Sequence, residues 1–306
     1  MLGDGPGSPL LLDDSQADKS DTAGTVNLNA AASVVTPAQP RWLRALNVLS
    51  FLLAASMTAL ASGGDTVFGD ARSVNSVLRT FETRITPAPA VLWFWVPIHA
   101  LGCAFVAYQA IVTPQPKLAM LISRIDPFYA TAQILTTAWL LTFIWGTTPA
   151  LWAGTGVLAL LVVCMLTICL RARLGQTTRA SLLEYVVIDC YFSLWCGWVT
   201  VFFVVNLATA LYASGWRGEP WTEDGWACAV VSLAATVSLL VLRHRADVFG
   251  SLFSSVFSWT SLTIAIGRRD TPEEQLVAAV AFSLGAVVGV VAITELLLQG
   301  KSTTVT

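Results

Sequence analysis

Charged residues are scarce in this chain. Only 12% of its 306 residues are Asp, Glu, Lys or Arg, whereas a soluble globular domain carries roughly a quarter. Hydrophobic residues make up 55% of the sequence. This shortage of charge argues against an ordinary soluble domain and predicts a protein whose main solvent is lipid.

The residues that most enzymes use are also few. The chain has two histidines, His99 and His244, which lie far apart in different kinds of segment. It contains no Gly-rich phosphate loop, no nucleophile elbow and no Cys-x-x-Cys pair. The six cysteines lie in or beside apolar runs, as small core residues usually do. No basic stripe accompanies the net charge of −2. We therefore expect no enzyme activity, no metal site and no nucleic-acid partner.

Residues 1–40 contain no aromatic side chain and are rich in Asp, Ser, Gly, Ala, Thr and Pro. A segment so poor in packing groups cannot offset its conformational entropy, which predicts a disordered tail. Its short apolar patch is surrounded by acidic residues and has no basic region before it, unlike a secretory signal.

Eight apolar runs of spanning length follow this tail. They predict an all-α multi-pass membrane protein whose helices cover 43–62, 89–112, 129–147, 150–171, 184–212, 225–243, 248–267 and 275–298. Only Gly146-Thr-Thr-Pro149 separates the third run from the fourth, which predicts a tight turn with Pro149 at the start of the next helix.

The distribution of basic residues predicts the orientation. Eleven Lys and Arg residues lie on the side of the two termini and six on the other side. Because cytoplasmic loops carry the excess of Lys and Arg, we expect both termini in the cytoplasm. The sequence does not indicate which membrane holds the protein.

Two links between the runs have patterns of their own. The apolar run Val74–Leu78 within the link 63–88 predicts a short amphipathic segment over the bundle. The link 215–226 places three tryptophans among acids and glycines, which is typical of anchoring at the membrane interface.

The second run is the most informative. It opens with Pro87 and Pro89, which mark a helix entrance. Trp93 and Trp95 crowd its start, where amphipathic rings prefer the headgroup layer. His99 lies about ten residues further in, which is roughly mid-bilayer at ~1.5 Å per residue.

Polar side chains inside the spans need partners, because burying them in lipid is costly. His99 in the second run could bond to a neighbouring helix or contact a ligand. Asp189 in the fifth run could pair with a loop arginine, reach the interface, or serve as a proton or ligand site. We expect both side chains to face protein rather than lipid.

The order of short motifs along the chain resembles a known family. Thr86-Pro-Ala88, Trp95 and Tyr108-Gln109 are similar to the Thr-Pro-Ala, Trp and Tyr-Gln pattern of long tryptophan-rich sensory proteins. These are relatives of the translocator protein (peripheral benzodiazepine receptor) family.

Two later runs resemble the same family. Gln133, Trp139 and Phe143 are similar to its third helix. The run 193–200, which reads Ser-Leu-Trp-Cys-Gly-Trp-Val-Thr, and the later Asn206 are similar to its fifth helix.

The resemblance implies a five-helix core over 41–212, three further transmembrane helices over 213–299 and a short tail over 300–306. It also implies a cavity beneath the loop that joins the first two helices. Family members bind tetrapyrroles, sterols and drug-like aromatics there, and they have been linked to transport and stress signalling.

Our first hypothesis is an integral membrane sensor or translocator that binds a hydrophobic or aromatic small molecule, with a tetrapyrrole as one ligand that the resemblance implies. Aromatic faces would stack on a planar ligand. The expected ligand-binding residues are Trp95, His99, Trp139, Trp195, Trp198 and Asn206. The expected partners are the lipid bilayer and this ligand, with a homodimer as the alternative to a monomer.

Two alternatives stay open at this point. One is a secondary transporter that moves a solute with protons through Asp189 and His99. The other is a structural membrane subunit without a ligand, in which every buried polar residue is paired within the bundle.

Overall fold

The computed structural model of the chain describes residues 41–63, 71–111, 116–175, 181–219 and 221–302. Every regular element within these ranges is helical, and eight helices are long and apolar enough to cross a membrane. The predicted all-α bundle of about eight transmembrane helices is confirmed. The tail 1–40, predicted to be disordered, lies outside the described residues.

Ten α-helices make up the described part of the chain. They are α1 (Arg41–Ser62), α2 (Val74–Thr80), α3 (Trp95–Ile111), α4 (Pro116–Trp145), α5 (Thr148–Ala172), α6 (Leu182–Glu184), α7 (Tyr191–Ala213), α8 (Glu223–His244), α9 (Val248–Arg268) and α10 (Gln275–Ser302). A 3₁₀ segment, Pro89–Phe94, leads into α3, and a π-helical segment, Tyr185–Cys190, joins α6 to α7 in one span. A 3₁₀ turn, Pro272–Glu274, precedes α10.

The third span is longer than predicted. Its expected start at residue 129 is wrong, because α4 begins at Pro116 and continues through Pro127. The proline ring removes one backbone hydrogen bond, which a membrane helix tolerates when its neighbours compensate. The Asp-Pro pair at 126–127 therefore lies within the helix rather than before it.

The short links form as their sequences predict. Gly146 adopts a positive φ of 58°, which glycine tolerates, and Pro149 lies in the first turn of α5. In the long link, Ser73 caps α2, whose Val74, Val77 and Leu78 are buried. The backbone N–H of Arg72 donates to the Ile144 carbonyl at 2.8 Å, which ties this link to the end of α4.

The caps of α8 and α9 explain where these helices begin. Thr222 accepts from the Gly225 N–H at 3.1 Å, and Asp247 accepts from the Gly250 N–H at 3.1 Å. Acidic residues in the first turn of α8 and basic residues in its last turn complement the helix dipole.

The spans α7 and α9 are the most deeply buried of the eight, and they pack directly on each other. Phe249, Phe253 and Val256 of α9 belong to the same hydrophobic core as side chains of α1 to α5 and α7. A second core joins α8, α9 and α10. Thus α9 connects the first five spans to the last three.

Small residues bring α10 close to α9. Gly285 and Gly289 are four residues apart on α10, and their Cα positions face Ser258 and Ser261 of α9. The Ser258 hydroxyl donates to the Gly285 carbonyl at 2.8 Å. This is the close approach that small residues permit between membrane helices.

Candidate functional site

Three tryptophans from different helices meet in the centre of the bundle. The ring of Trp95, at the start of α3, stacks on Trp139 of α4 with centroids 6.1 Å apart. It meets the edge of Trp198 of α7 at 5.6 Å. Trp198 in turn packs on Phe202 at 4.2 Å. The sequence placed these residues far apart, and the fold brings them into one aromatic cluster.

His99 extends this cluster by one helical turn. Its ring stacks on Trp95 with centroids 5.2 Å apart, and Nδ1 lies 2.9 Å from the Trp95 carbonyl oxygen. Because a carbonyl only accepts, Nδ1 carries the proton in this bond and Nε2 of the neutral ring is an acceptor. His99 therefore offers an acceptor on the side away from its own backbone.

A small cavity of about 20 Å³ lies against this cluster. It is lined by Phe51, Ala54, Trp95, Ile98, His99, Gln133, Thr136, Tyr191, Trp195 and Trp198. A second cavity of about 10 Å³ is lined by several of the same residues and by Trp139. The larger of these spaces has room for about one water molecule.

Two indole N–H groups at the cavity have no acceptor among the described residues. They belong to Trp95 and Trp198, whose side chains are buried. A buried donor without a partner costs free energy, so native structures rarely leave one without a reason. Both tryptophans line the same cavity, so two donors without a partner belong to one site.

The segment before α3 covers the cluster. Phe94 stacks on Trp198 with parallel rings and centroids 6.0 Å apart, and it also packs on Trp259 of α9. The Ala88 N–H donates to the Thr263 carbonyl of α9 at 3.1 Å. This entrance segment, residues 88–94, is thus attached to α9 as well as to the first five spans.

Asn206 lies beside Trp139 but does not line either cavity. Its Oδ1 accepts from the Trp139 indole at 3.0 Å, and its Nδ2 donates to Thr155 Oγ1 at 2.7 Å and the Leu151 carbonyl at 3.1 Å. These bonds join α4, α5 and α7. In this geometry Asn206 orients Trp139.

Replacing Asn206 by leucine is expected to lower the free energy of unfolding by about 2–3 kcal/mol, since hydrogen bonds between membrane helices contribute about 0.6–2 kcal/mol each. Unfolding in SDS titrations would measure the change. Thr236→Val is the control, because the exposed Thr236 hydroxyl donates to the Ser232 carbonyl of its own helix at 2.8 Å. Equal stability of the two variants would contradict a structural role for Asn206.

Asp189 lies in the π-helical segment at the other end of the span that contains Asn206. Its Oδ1 accepts from the Gly175 N–H at 2.7 Å, next to the end of α5. Asp189 does not line the cavity that contains His99. The two residues of the proton-transport hypothesis therefore do not share a site in this structure.

Sequence reasoning missed a buried polar cluster at the end of the bundle where α1 begins. Asn47 Nδ2 donates to Asp126 Oδ1 at 2.7 Å, and Gln109 lies 3.3 Å from each of them. Asp126 escaped notice because the third span was predicted to start after it. Polar residues near the same end of the first three spans, α1, α3 and α4, were the available signal.

Within the described ranges, no group of three or more His, Cys, Asp or Glu side chains lies close enough to hold a metal ion. The polar groups that line the cavity at the aromatic cluster are instead three indoles, one imidazole, one amide and two hydroxyls, from Trp95, Trp195, Trp198, His99, Gln133, Thr136 and Tyr191. Such a set suits a ligand with an aromatic face and a few acceptors.

Comparison with known proteins supports the motif order noted above. A family model described as TSPO-like protein matches residues 44–294, which is most of the chain and includes all eight spans except their outermost turns. No curated protein matches the chain, and no solved structure does. The extent of the family match shows that this integral membrane protein belongs to the TSPO-like protein family.

Proposed function

We propose that this protein binds a planar hydrophobic or aromatic small molecule among α3, α4 and α7 and acts as a sensor or translocator for it. The observation that carries the proposal is the pair of buried indole donors of Trp95 and Trp198, which have no acceptor among the described residues. These N–H groups lie beside stacked aromatic rings. A ligand that accepts hydrogen bonds from the indoles and also stacks on the rings would therefore bind favourably.

The donors restrict the class of ligand. A tetrapyrrole or a drug-like aromatic offers both a π-face for Trp95 and acceptor atoms for the indoles. A sterol offers an acceptor oxygen but no aromatic face to stack. We therefore expect tetrapyrroles and drug-like aromatics to bind more tightly than sterols.

Binding requires the site to open. The cavity volume of about 20 Å³ is far below the roughly 300–1,000 Å³ of drug-sized sites. The entrance segment 88–94 would have to lift and carry Phe94 off Trp198. Because Ala88 is bonded to Thr263, this movement would reach α9, and a ligand-dependent change in the last three helices would be a sensing output.

The experiment measures quenching of tryptophan fluorescence by protoporphyrin IX in detergent. Replacing both Trp95 and Trp139 by alanine is expected to abolish saturable quenching. Trp221→Ala is the control, because this tryptophan is 61% exposed and lies outside the cluster. Saturable quenching that persists in the double variant would overturn the proposed site.

A milder variant separates lost binding from lost folding. Trp198→Phe removes the N–H donor and keeps an aromatic ring, so the bundle should stay folded. The affinity for protoporphyrin IX is expected to fall about tenfold, the effect of one hydrogen bond of ~1.4 kcal/mol. An unchanged affinity would show that the indole donor does not contact the ligand.

The membrane orientation belongs to the same proposal. The excess of Lys and Arg on the side of the termini supports both termini facing the cytoplasm. The aromatic cluster would then be covered by the entrance segment from the non-cytoplasmic side.

A further inference from the structure

The ring of Phe94 contacts indoles from two different parts of the bundle. One indole belongs to Trp198 of α7, whose ring is parallel to that of Phe94 with centroids 6.0 Å apart. The other belongs to Trp259 of α9, at 6.4 Å with the rings tilted by 39°. All three side chains pack in the same hydrophobic core. Phe94 therefore links the aromatic cluster to a tryptophan of the last three spans.

The Trp259 indole has the same unusual property as two indoles of the aromatic cluster. Its N–H group is buried and has no acceptor among the described residues, and the same holds for Trp95 and Trp198. Its ring neighbour Phe94 has no oxygen or nitrogen in its side chain. Three indole donors from α3, α7 and α9 thus lie along one series of ring contacts. Each carries a free-energy cost that an acceptor would remove.

Trp259 lies on the face of α9 that carries the entrance segment. Residues at positions i, i+4 and i+8 share one side of a helix, and Trp259, Thr263 and Gly267 have this spacing. The Thr263 carbonyl accepts from the Ala88 N–H at 3.1 Å, and a Cβ at Gly267 would lie 3.6 Å from the Ala88 Cβ. A movement of the entrance segment off α9 would therefore uncover Trp259.

The same movement would take Phe94 away from both indoles. Ligand binding at the aromatic cluster requires this opening, because the closed cavity has a volume of only about 20 Å³. A ligand ring that stacks on Trp198 in the place of Phe94 cannot be present together with the Phe94 ring. The closed protein therefore holds one of its own aromatic rings where a ligand ring would stack.

We propose that Phe94 is a built-in competitor of the ligand and that Trp259 is a further ligand-binding residue. In the closed protein, Phe94 occupies the position of one ligand ring. In the open protein, a ring of the ligand stacks on Trp198, and an acceptor atom of the ligand bonds to the Trp259 N–H. This inference rests on the proposed function, and it extends the proposed site to the last three spans.

A competitor and a wall residue have opposite effects on affinity. When only the open state binds, the measured affinity is the intrinsic affinity multiplied by the open fraction. Shortening Phe94 removes two ring contacts that stabilise the closed state, so the open fraction and the association rate should rise. Shortening a residue that only contacts the ligand would lower the affinity instead.

The experiment measures binding of protoporphyrin IX in detergent through the fluorescence of the porphyrin itself. Phe94→Ala is expected to bind about tenfold more tightly, through faster association and with an unchanged dissociation rate. If this variant does not fold, Phe94→Leu replaces it and should bind several-fold more tightly. Trp93→Ala is the matched control, because this neighbour in the same segment is 72% exposed, and its affinity should not change. A lower or unchanged affinity of the Phe94 variants would overturn the competition.

Trp259→Phe removes the N–H donor and keeps a ring. The affinity is expected to fall about tenfold, and by the same factor when Phe94→Ala is also present, because the effect then cannot act through Phe94. Loss of the effect in that background would make Trp259 only a support for Phe94 and would overturn its role as a ligand-binding residue.

Failure of the proposed function would look different. The parent chain would then show no saturable binding of protoporphyrin IX, or its binding would not respond to the joint replacement of Trp95 and Trp139. Either result would overturn both the proposed function and this inference. Saturable binding that depends on Trp95 and Trp139, together with unaltered affinity in the Phe94 and Trp259 variants, would overturn this inference alone.

Discussion

Replacing Arg268 by methionine is expected to lower the free energy of unfolding by about 3–5 kcal/mol, which is the cost of leaving a buried partner charge uncompensated. Arg268 is 5% exposed at the end of α9. It forms ion pairs with Glu82 at 2.7 Å and Glu274 at 3.1 Å, and it donates to the Thr86 carbonyl at 3.2 Å.

This arginine holds several segments together. Glu274 also pairs with Arg84, which lies 3.0 Å from Asp224 at the start of α8. The network thus joins the link before α3 to the beginnings of α8 and α10 and the end of α9. Its loss should loosen the entrance segment along with the last three helices.

The neighbouring arginine provides the control for this prediction. Among the residues that the structure describes, Arg269 pairs with the exposed Asp270 alone, at 3.5 Å, and exposed ion pairs contribute about 0–1 kcal/mol. SDS titration should therefore separate Arg268→Met clearly from Arg269→Met. A double-mutant cycle that combines Arg268→Met with Glu274→Met should show strongly non-additive changes in the free energy of unfolding. Additive changes would contradict a direct interaction between Arg268 and Glu274.

Replacing Gly197 by alanine is expected to destabilise the bundle by about 1–3 kcal/mol through overpacking. A Cβ at this position of α7 would lie 2.7 Å from the Phe253 carbonyl oxygen and 3.1 Å from the Phe253 Cα of α9. Backbone atoms cannot rotate away as a side chain can. The two most buried helices would have to separate.

Gly156→Ala is the matched control for Gly197→Ala. Gly156 lies in α5, and a Cβ there would meet nothing within 4 Å. Alanine favours helix over glycine by about 1 kcal/mol, so this variant should be neutral or slightly more stable. The midpoint of thermal unfolding in detergent measures both variants. A Gly197→Ala protein as stable as Gly156→Ala would show that α7 and α9 are not in close contact.

Much of this architecture could be predicted because lipid imposes simple rules. Runs of about twenty apolar residues have to be helices in a bilayer, so the eight spans followed from hydropathy alone. The turn at Pro149 and the helix entrance at Pro89 followed from the fixed φ of proline. The motif order that begins at Thr86 led to the family.

The packing between helices could not be predicted in the same way. Hydropathy does not say which face of a span meets protein, so nothing indicated that α9 would lie at the centre. The third span was predicted to begin at residue 129, so Asp126 lay outside it and was not considered as a buried polar residue.

The candidate site was predicted in part. Trp95 and His99 were both expected at the site, and their spacing of four residues places them on one helical face, where they stack on each other. Asn206 orients Trp139 through a hydrogen bond between residues that are 67 positions apart in the sequence, and no local pattern indicates such a contact. Their roles in ligand binding stay predictions.

The most direct test of ligand binding at the aromatic cluster is fluorine NMR of protein labelled with 5-fluorotryptophan. Each resonance is assigned with a single Trp→Phe variant, and protoporphyrin IX is then titrated into the detergent-solubilised chain. We expect saturable shifts of the Trp95, Trp139 and Trp198 resonances while the exposed Trp221 resonance stays unchanged. Shifts confined to Trp221 and other exposed tryptophans, with the cluster unaffected, would contradict ligand binding at the cluster.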